Sequence, residues 1–388
     1  MTQTTTALTK LFIEFLKTEK AAGVMLFLCT VVSMSMANSP LSSWYSSLWQ
    51  TPLFALPLSF WINDVLMTLF FLLVGLEIER EIYAGELSQP RNALLPIIAA
   101  AGGMIGPAVF HLSLNAGTET HAGFGIPMAT DIAFSLGVLS LLGSRVPLGL
   151  KVFLTALAIA DDIGAIIIIA FFYTTGLSTL NVLVAICIIV LLVIAHRLGI
   201  QSLWFYLASG IGLWYFIHES GIHSTIAGVI LAFLVPFGKG DESSPSYRLQ
   251  HRLHYLTAFL VLPLFALANT AIKISPDSFA SLLHPNSIGI IGGLTLGNII
   301  GINLFALVAV KTKLCSLPAD TSSKQLFGVS LLAGIGFTMS MFVAMLAFEN
   351  VDLVEQSKLA ILVASILAGL AGYASLRMLL RKQSVVTS

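Results

Sequence analysis

Charge is scarce in this sequence, and basic charge is absent where it would matter most. Only 10% of the residues are Asp, Glu, Lys or Arg, against about 25% in soluble domains, while 57% are hydrophobic and the mean hydropathy is +0.93. That composition excludes a soluble globular domain and predicts an all-α polytopic membrane protein. No excess of either sign exists, with 19 basic and 19 acidic residues, so bulk charge gives no attraction to nucleic acid. Cysteine is nearly absent as well. Cys29, Cys187 and Cys315 are isolated and odd in number, which fits neither a disulfide frame nor a zinc site and leaves them as packing residues. A removable leader is not expected: the run AAGVMLFLCTVVSMSMA follows a basic start, but many further spans come after it, so it should stay as a first transmembrane helix.

Against this background, the apolar run TALAIADDIGAIIIIAFF holds two adjacent carboxylates, Asp161 and Asp162, with no Lys or Arg between Lys151 and Arg197. An ionised acid at bilayer depth costs about 2.5 to 3.5 kcal/mol, so a doubled one points to function. Stretches near the length a bilayer crossing needs number twelve, at roughly 20–37, 59–77, 93–114, 122–143, 152–175, 179–195, 202–217, 221–237, 255–272, 287–310, 326–348 and 358–378. Alternating sides through these spans places 17 of the 19 Lys and Arg with the N-terminus, and only Lys273 and Lys358 opposite. By the positive-inside rule both termini are cytoplasmic. Every basic residue then falls at or near a span end. Among the acids, only Asp131, Asp161 and Asp162 sit deep, whereas Asp64, Glu77 and Glu219, like His111, lie close enough to span ends to be solvated.

At about 1.5 Å per residue, Asp161 is about 15 Å from the cytoplasmic start of the fifth span and Asp131 about 14 Å from the outer start of the fourth. Both fall near the midplane of a core about 30 Å thick. Adjacent helical residues point about 100° apart, so Asp161 and Asp162 can border one cavity without serving an ion equally. Burial and the like-charged neighbour both oppose double ionisation, so the pair should titrate as a unit. Carboxylate, hydroxyl and carbonyl oxygens suit a hard cation, and a proton competes for the same oxygens. Alternate opening of such a site to the two sides yields antiport.

Two spans should break. In GFGIPMATDIAFSLGVL, Pro127 removes a backbone donor just before Thr130 and Asp131. In VSLLAGIGFTMSMF, Gly334 and Gly336 lower the cost of leaving helical geometry, with Thr338 following as a possible oxygen ligand. Interrupted spans at corresponding places of two halves mark transporter sites, and spans three to five and ten to twelve enter from opposite sides, giving inverted repeats.

The segments FFLLVGLEIEREI, MATDIAFSLGVLSLLGSRVP, LAIADDIGAIIIIAFFYT, SGIHSTIAGVI, LPLFALAN and GIGFTMSMF, in this order, resemble NhaA-type sodium/proton antiporters over nearly the whole chain. Inverted repeats are known in that family, so the repeat architecture is not independent of the resemblance. The resemblance implies a non-enzymatic secondary antiporter of the bacterial inner membrane, exchanging Na+ or Li+ for H+ without a cofactor and serving pH and sodium homeostasis. Asp161 and Asp162 would hold Na+ and protons. Thr130 and Asp131 would lie where the broken fourth and eleventh helices cross at the midplane, with Asp131 offsetting positive helix ends. A single integral domain over 1–388 would contain an ion-binding core (about 93–175 and 287–378) and a dimerisation scaffold (about 20–77 and 179–272). Its partners would be membrane lipid and a second copy, with no nucleic acid.

The chain departs from the family pattern at two places. Where the family has a lysine in a GKxxGI context, LGNIIGI places Asn298, which cannot carry a proton. In YRLQHRLH, Gln250 replaces an acid before His251 and His254. The family's pH regulation is associated with this loop, with Glu77, Arg80 and Glu81, and with the position of His223, so Gln250 should shift the pH response. The family's outer dimerisation hairpin corresponds to WQTPLFALPLSF, where Pro52 and Pro57 are expected to interrupt strand pairing. Near the N-terminus, Leu8, Leu11, Phe12 and Phe15 share one face of LTKLFIEFLK, suiting an interfacial helix.

Other chemistries fit poorly. An intramembrane aspartyl protease takes its acids from separate helices, and a prenyltransferase needs a DDxxD run with basic residues for diphosphate, whereas this chain has DDIGA. The serious alternative is a sodium-coupled organic-anion symporter of similar fold.

Overall fold

Lipid offers no hydrogen bonds to a backbone, so apolar runs of this length must satisfy themselves as helices. The computed structural model describes the backbone of residues 2–386 apart from Thr175 and Ala319, and the side chains of 20–381 apart from those at 86, 90, 91, 144, 175 and 319. The expected interfacial residues Leu8, Leu11, Phe12 and Phe15 lie outside the described side chains, within the helix Thr2–Ala37.

Among the described residues, nine helices are long and apolar enough to cross a membrane, and a tenth candidate is the pair Ser323–Ala333 and Phe337–Ala347, bent by 48° at its break. The stretches 202–217 and 221–237 form shorter helices, Leu203–His218 and Ile226–Ala232, of 16 and 7 residues. The protein is thus a mostly helical multi-pass membrane protein.

The chain divides into two compact units, one comprising 1–43, 90–162 and 269–388, the other 44–89 and 163–268. In the first, Pro90–Asn115 runs against Asn298–Lys311 with their backbones in contact. A Cβ added at Gly301 would stand 1.9 Å from the Gly102 carbonyl oxygen, and one at Gly106 would stand 2.4 Å from that of Gly297. Only glycine allows this approach, the usual means by which membrane helices gain van der Waals contact where no hydrophobic drive exists.

Two sequence expectations change in this unit. The last helix, Val351–Val386, begins seven residues before the expected start of the twelfth span, so Lys358 is not at a helix end but inside the helix, where it is only 9% exposed. His111 is not solvated. It is fully buried, and its Nε2 lies 3.2 Å from Asn286 Oδ1, while Asn286 Nδ2 donates to Ser357 Oγ at 3.0 Å. Because that amide nitrogen is the donor to Ser357, Asn286 Oδ1 accepts, and His111 Nε2 must carry the hydrogen.

In the second unit, Met67–Tyr83 packs on Ile226–Ala232 through Gly75 and Gly228, over a core that includes Leu72, Leu76, Tyr206, Leu231 and Leu249. Here the prolines do not abolish the hairpin. Pro52–Leu53 and Leu56–Pro57 pair antiparallel across a two-residue turn in which Phe54 and Ala55 both have positive φ (48° and 70°), the backbone of a type I′ turn. Pro52 faces Pro57, and the next rung out is the bond from Leu58 N to Thr51 O at 3.0 Å. Alternation along an antiparallel ladder therefore puts both prolines in a pair that exchanges no backbone hydrogen bonds, so their missing N–H groups cost nothing.

The glycine seam gives a stability test. Gly301→Ala should destabilise the protein by about 1–3 kcal/mol or more through overpacking, seen as a lower unfolding temperature in detergent. Gly369→Ala, whose added Cβ would meet nothing nearer than 3.5 Å, is the control. Equal unfolding temperatures for the two variants would exclude the close approach.

Candidate functional site

The site is built where two helical paths are interrupted. Residues 121–128 form a tight 3-10 turn containing Pro127, the backbone becomes extended at Ala129 (φ −93°, ψ 137°) and Asp131 (φ −79°, ψ 105°), and helix resumes at Ile132–Ser140. Opposite, Ser323–Ala333 ends at Gly334 and Phe337–Ala347 begins after Gly336. The two non-helical segments meet directly, with Asp131 N donating to Ile335 O at 2.7 Å.

Asp131 joins the two resumed helices. Its Oδ1 accepts from Phe134 N at 2.9 Å, capping Ile132–Ser140, and its Oδ2 accepts from Thr338 N at 3.1 Å in the first turn of Phe337–Ala347. The Thr338 hydroxyl donates to the same Oδ2. One carboxylate thus serves two helix N-termini, each carrying partial positive charge. The Thr338 proton is committed to Asp131.

The carbonyl ends are met by hydroxyls. Ser340 donates to Ile126 O at 2.7 Å and Thr130 to Ala333 O at 2.8 Å, while the Ser135 hydroxyl, 2.6 Å from Asp131 O in its own helix, lies 3.2 Å from Leu332 O. Ala333 O has no helical donor because the amide four residues on, Phe337 N, turns to Ser365 Oγ at 3.2 Å. The Thr130 hydroxyl also lies 2.9 Å from Asp161 Oδ2, so Thr130 links the break to the carboxylate pair. Thr130, Asp161 and Asp162 are fully buried. Asp131 has both oxygens occupied, whereas Asp161 Oδ1 has no hydrogen-bond partner. Asp161 therefore offers an open oxygen, and Asp131 does not.

Asn298 is also fully buried. It follows a wide i→i+5 turn at 293–297, and its Nδ2 reaches Leu294 O only loosely, at 3.4 Å. Leu294 O lies 2.2 Å from where a Cβ on Gly334 would stand, so this asparagine belongs to the helix packed on the break. Pro127 touches the same turn, since a Cβ on Gly293 would lie 2.8 Å from Pro127 Cβ.

The residues tied to pH regulation by resemblance fall into separate places in the second unit. Glu77 Oε1 and His254 Nδ1 are 3.5 Å apart, and Arg80 pairs with Glu81 at 3.2 Å. Gln250 is buried on the helix that carries His254, while His251 stacks on Tyr247 with ring centroids 6.3 Å apart. His223 stands elsewhere, 2.9 Å from Thr225 Oγ1. Sequence reasoning missed two acids. Glu79 is buried and accepts from Ser246 at 3.1 Å. Asp64, expected to be solvated, accepts from Trp214 Nε1 at 2.9 Å and Ser224 Oγ at 2.6 Å, with His218 Nδ1 at 3.6 Å. The pattern xEIEREI shows only alternating charge at a helix end, which gives no sign that its middle acid points inward.

Comparison with known proteins fits this geometry. Residues 13–376 match the family model described as Na+/H+ antiporter 1. The chain belongs to this Na+/H+ antiporter family. It is similar to the Na(+)/H(+) antiporter NhaA 1 of Flavobacterium johnsoniae, 52% identical over 96% of this chain and 98% of that protein. It is also similar to the Na(+)/H(+) antiporter NhaA of Dechloromonas aromatica, 52% identical over 96% and 97%, and to that of a Shewanella species, 48% identical over 96% and 98%. As a member of the NhaA group, the chain is matched along nearly its full length, crossing segments included.

The double cap predicts graded stability. Asp131→Ala removes both caps, each worth about 1 kcal/mol, and leaves buried amides unpaired. It should lower the unfolding temperature more than Thr338→Ala, which spares the Phe134 bond. Equal losses would rule out a carboxylate shared by two helices.

Proposed function

We propose that this protein is a secondary antiporter of the bacterial inner membrane that exchanges Na+ or Li+ for H+ at Asp161 and Asp162, serving pH and sodium homeostasis. The observation that carries the reading is the open Oδ1 of the buried Asp161, whose other oxygen lies 2.9 Å from the Thr130 hydroxyl at the break. A proton and a cation compete for such an oxygen, and competition at an alternately opened site is sufficient for exchange. The names of the relatives support the same ions for this chain.

On this reading the chain makes twelve crossings with both termini cytoplasmic, as the charge asymmetry supports. The interrupted paths at 129–131 and 334–336 are the broken fourth and eleventh spans. The core bundle moves against the scaffold, and two copies associate through the outer hairpin. Glu77, Arg80, Glu81, His223, Gln250, His251 and His254 tune the pH response, with Glu77 and His254 as its paired centre. Asn298, lacking a lysine's charge, lets Asp161 take a cation without displacing a salt bridge, which makes exchange less electrogenic than in lysine-bearing relatives.

The test is a cation-induced ΔpH assay in everted vesicles without organic solute. Na+ should drive proton movement in the wild type, and Asp162→Asn should reduce it to the level of vesicles lacking the protein. Full activity of Asp162→Asn would remove the site assignment, and a strict need for an organic anion would favour the symporter. Asn298→Lys should increase the voltage dependence of exchange in proteoliposomes, and unchanged voltage dependence would sink the role given to Asn298.

A further inference from the structure

Lys358 is the only Lys or Arg buried among the described residues. Its Nζ donates to the amide oxygen of Asn269 at 3.3 Å. None of the ion pairs among the described residues includes it, and the acid that acts on it is Glu355, exposed on the same helix. A buried cation held by one neutral amide is costly, and in a membrane helix such a residue marks an ion path by default.

Its place relative to the crossing follows from helix geometry. Lys358 and Ser365 are seven residues apart in Val351–Val386, hence on one face and about 10 Å apart along the axis. Ser365 Oγ accepts from Phe337 N, the amide next to the Thr338 amide that Asp131 caps. A cation therefore lies on the crossing face of this helix, about two turns toward its Val351 end, which the charge asymmetry assigns to the outside.

We infer that Lys358 is a positioning charge for transport: it weakens cation binding at the carboxylate pair enough for the ion to leave toward the outer face. This rests on the proposed site at Asp161 and Asp162. A buried pair of carboxyl groups with no adjacent lysine would hold a cation too tightly to turn over, and transport needs binding favourable enough to enter yet weak enough to leave. The carboxylate pair lies beyond Ser365 from Lys358, and in an effective dielectric of about 20 a like charge roughly 15 Å away still changes affinity several-fold.

The sign of the effect separates this role from a structural one. In proteoliposomes at the alkaline end of the activity range, where protons compete least, Lys358→Met and Lys358→Gln should lower the KM for Na+ several-fold and lower kcat with it, as release slows. Lys358→Arg, which keeps the charge, should restore KM toward the wild-type value. If Lys358→Met does not fold, Lys358→Gln retains a hydrogen bond to Asn269, and Asn269→Asp neutralises the charge from the other partner with the same expected fall in KM. A KM that is unchanged or raised in the charge-neutralised proteins overturns the inference. Asp162→Asn in the same assay reports on the site itself: if it is inactive while Lys358→Gln leaves KM unchanged, only the role of Lys358 fails.

Discussion

The carboxylate of Asp131, shared between two helix N-termini, is the interaction on which the rest of this unit depends. Breaking two helices inside a bilayer leaves amide and carbonyl groups without partners in a medium that supplies none, each costing several kcal/mol. Phe134 N and Thr338 N find one anion, and the paired positive helix ends in turn stabilise that anion. Neither break is sustainable alone: without the second helix the carboxylate would keep an open oxygen, and without Asp131 both helices would start on unpaired amides. The hydroxyls of Thr130 and Ser340 do for two carbonyls what Asp131 does for the amides.

This division of labour separates two kinds of buried acid. Asp131 is saturated by donors that belong to the fold, so it has nothing left for a cargo ion. Asp161 has one oxygen against a hydroxyl and one without a donor. Helix ends are fixed dipoles that cannot be discharged by a proton, which makes them suitable for a structural anion and unsuitable for an exchangeable one. The glycine seam between Pro90–Asn115 and Asn298–Lys311 makes a rigid backing for the same crossing, because backbones in direct contact leave no side chain to repack.

The acid pair, Pro127 and the two glycines were legible in the sequence because each is an exception to an apolar helical background, where one polar or helix-breaking residue stands out. The partners were not. That Asp131 would cap two helices, and that Thr338 would give its proton to it, depends on segments more than 200 residues apart meeting at one point. Lys358 was misjudged because VDLVEQSK reads as a polar lead into a span, whereas helix already runs from Val351 and carries the lysine inside. His111 was misjudged for the same reason: distance from a span end measures depth but not which neighbours enclose a side chain. The hairpin prolines argued against pairing only under the wrong register, since strand rules for proline depend on which rungs exchange hydrogen bonds.

On the proposed reading, Asn298 at the position where the resemblance implies a lysine therefore does not leave the first unit without buried positive charge. It leaves positive charge at a distance. An ammonium at position 298 would sit on the helix packed against the break and could pair with an acid directly, so that cation entry would have to displace it. Lys358 lies about two turns along its own helix from the amide that Ser365 holds, too far to form a salt bridge at the crossing and near enough to act through its field. A salt bridge competes with the cargo one for one, whereas a field lowers the affinity of every cation at the site, protons included, by the same factor. On the proposed reading, a chain built this way retains exchange of one cation for another while losing the extra step in which a lysine takes up or releases a proton of its own.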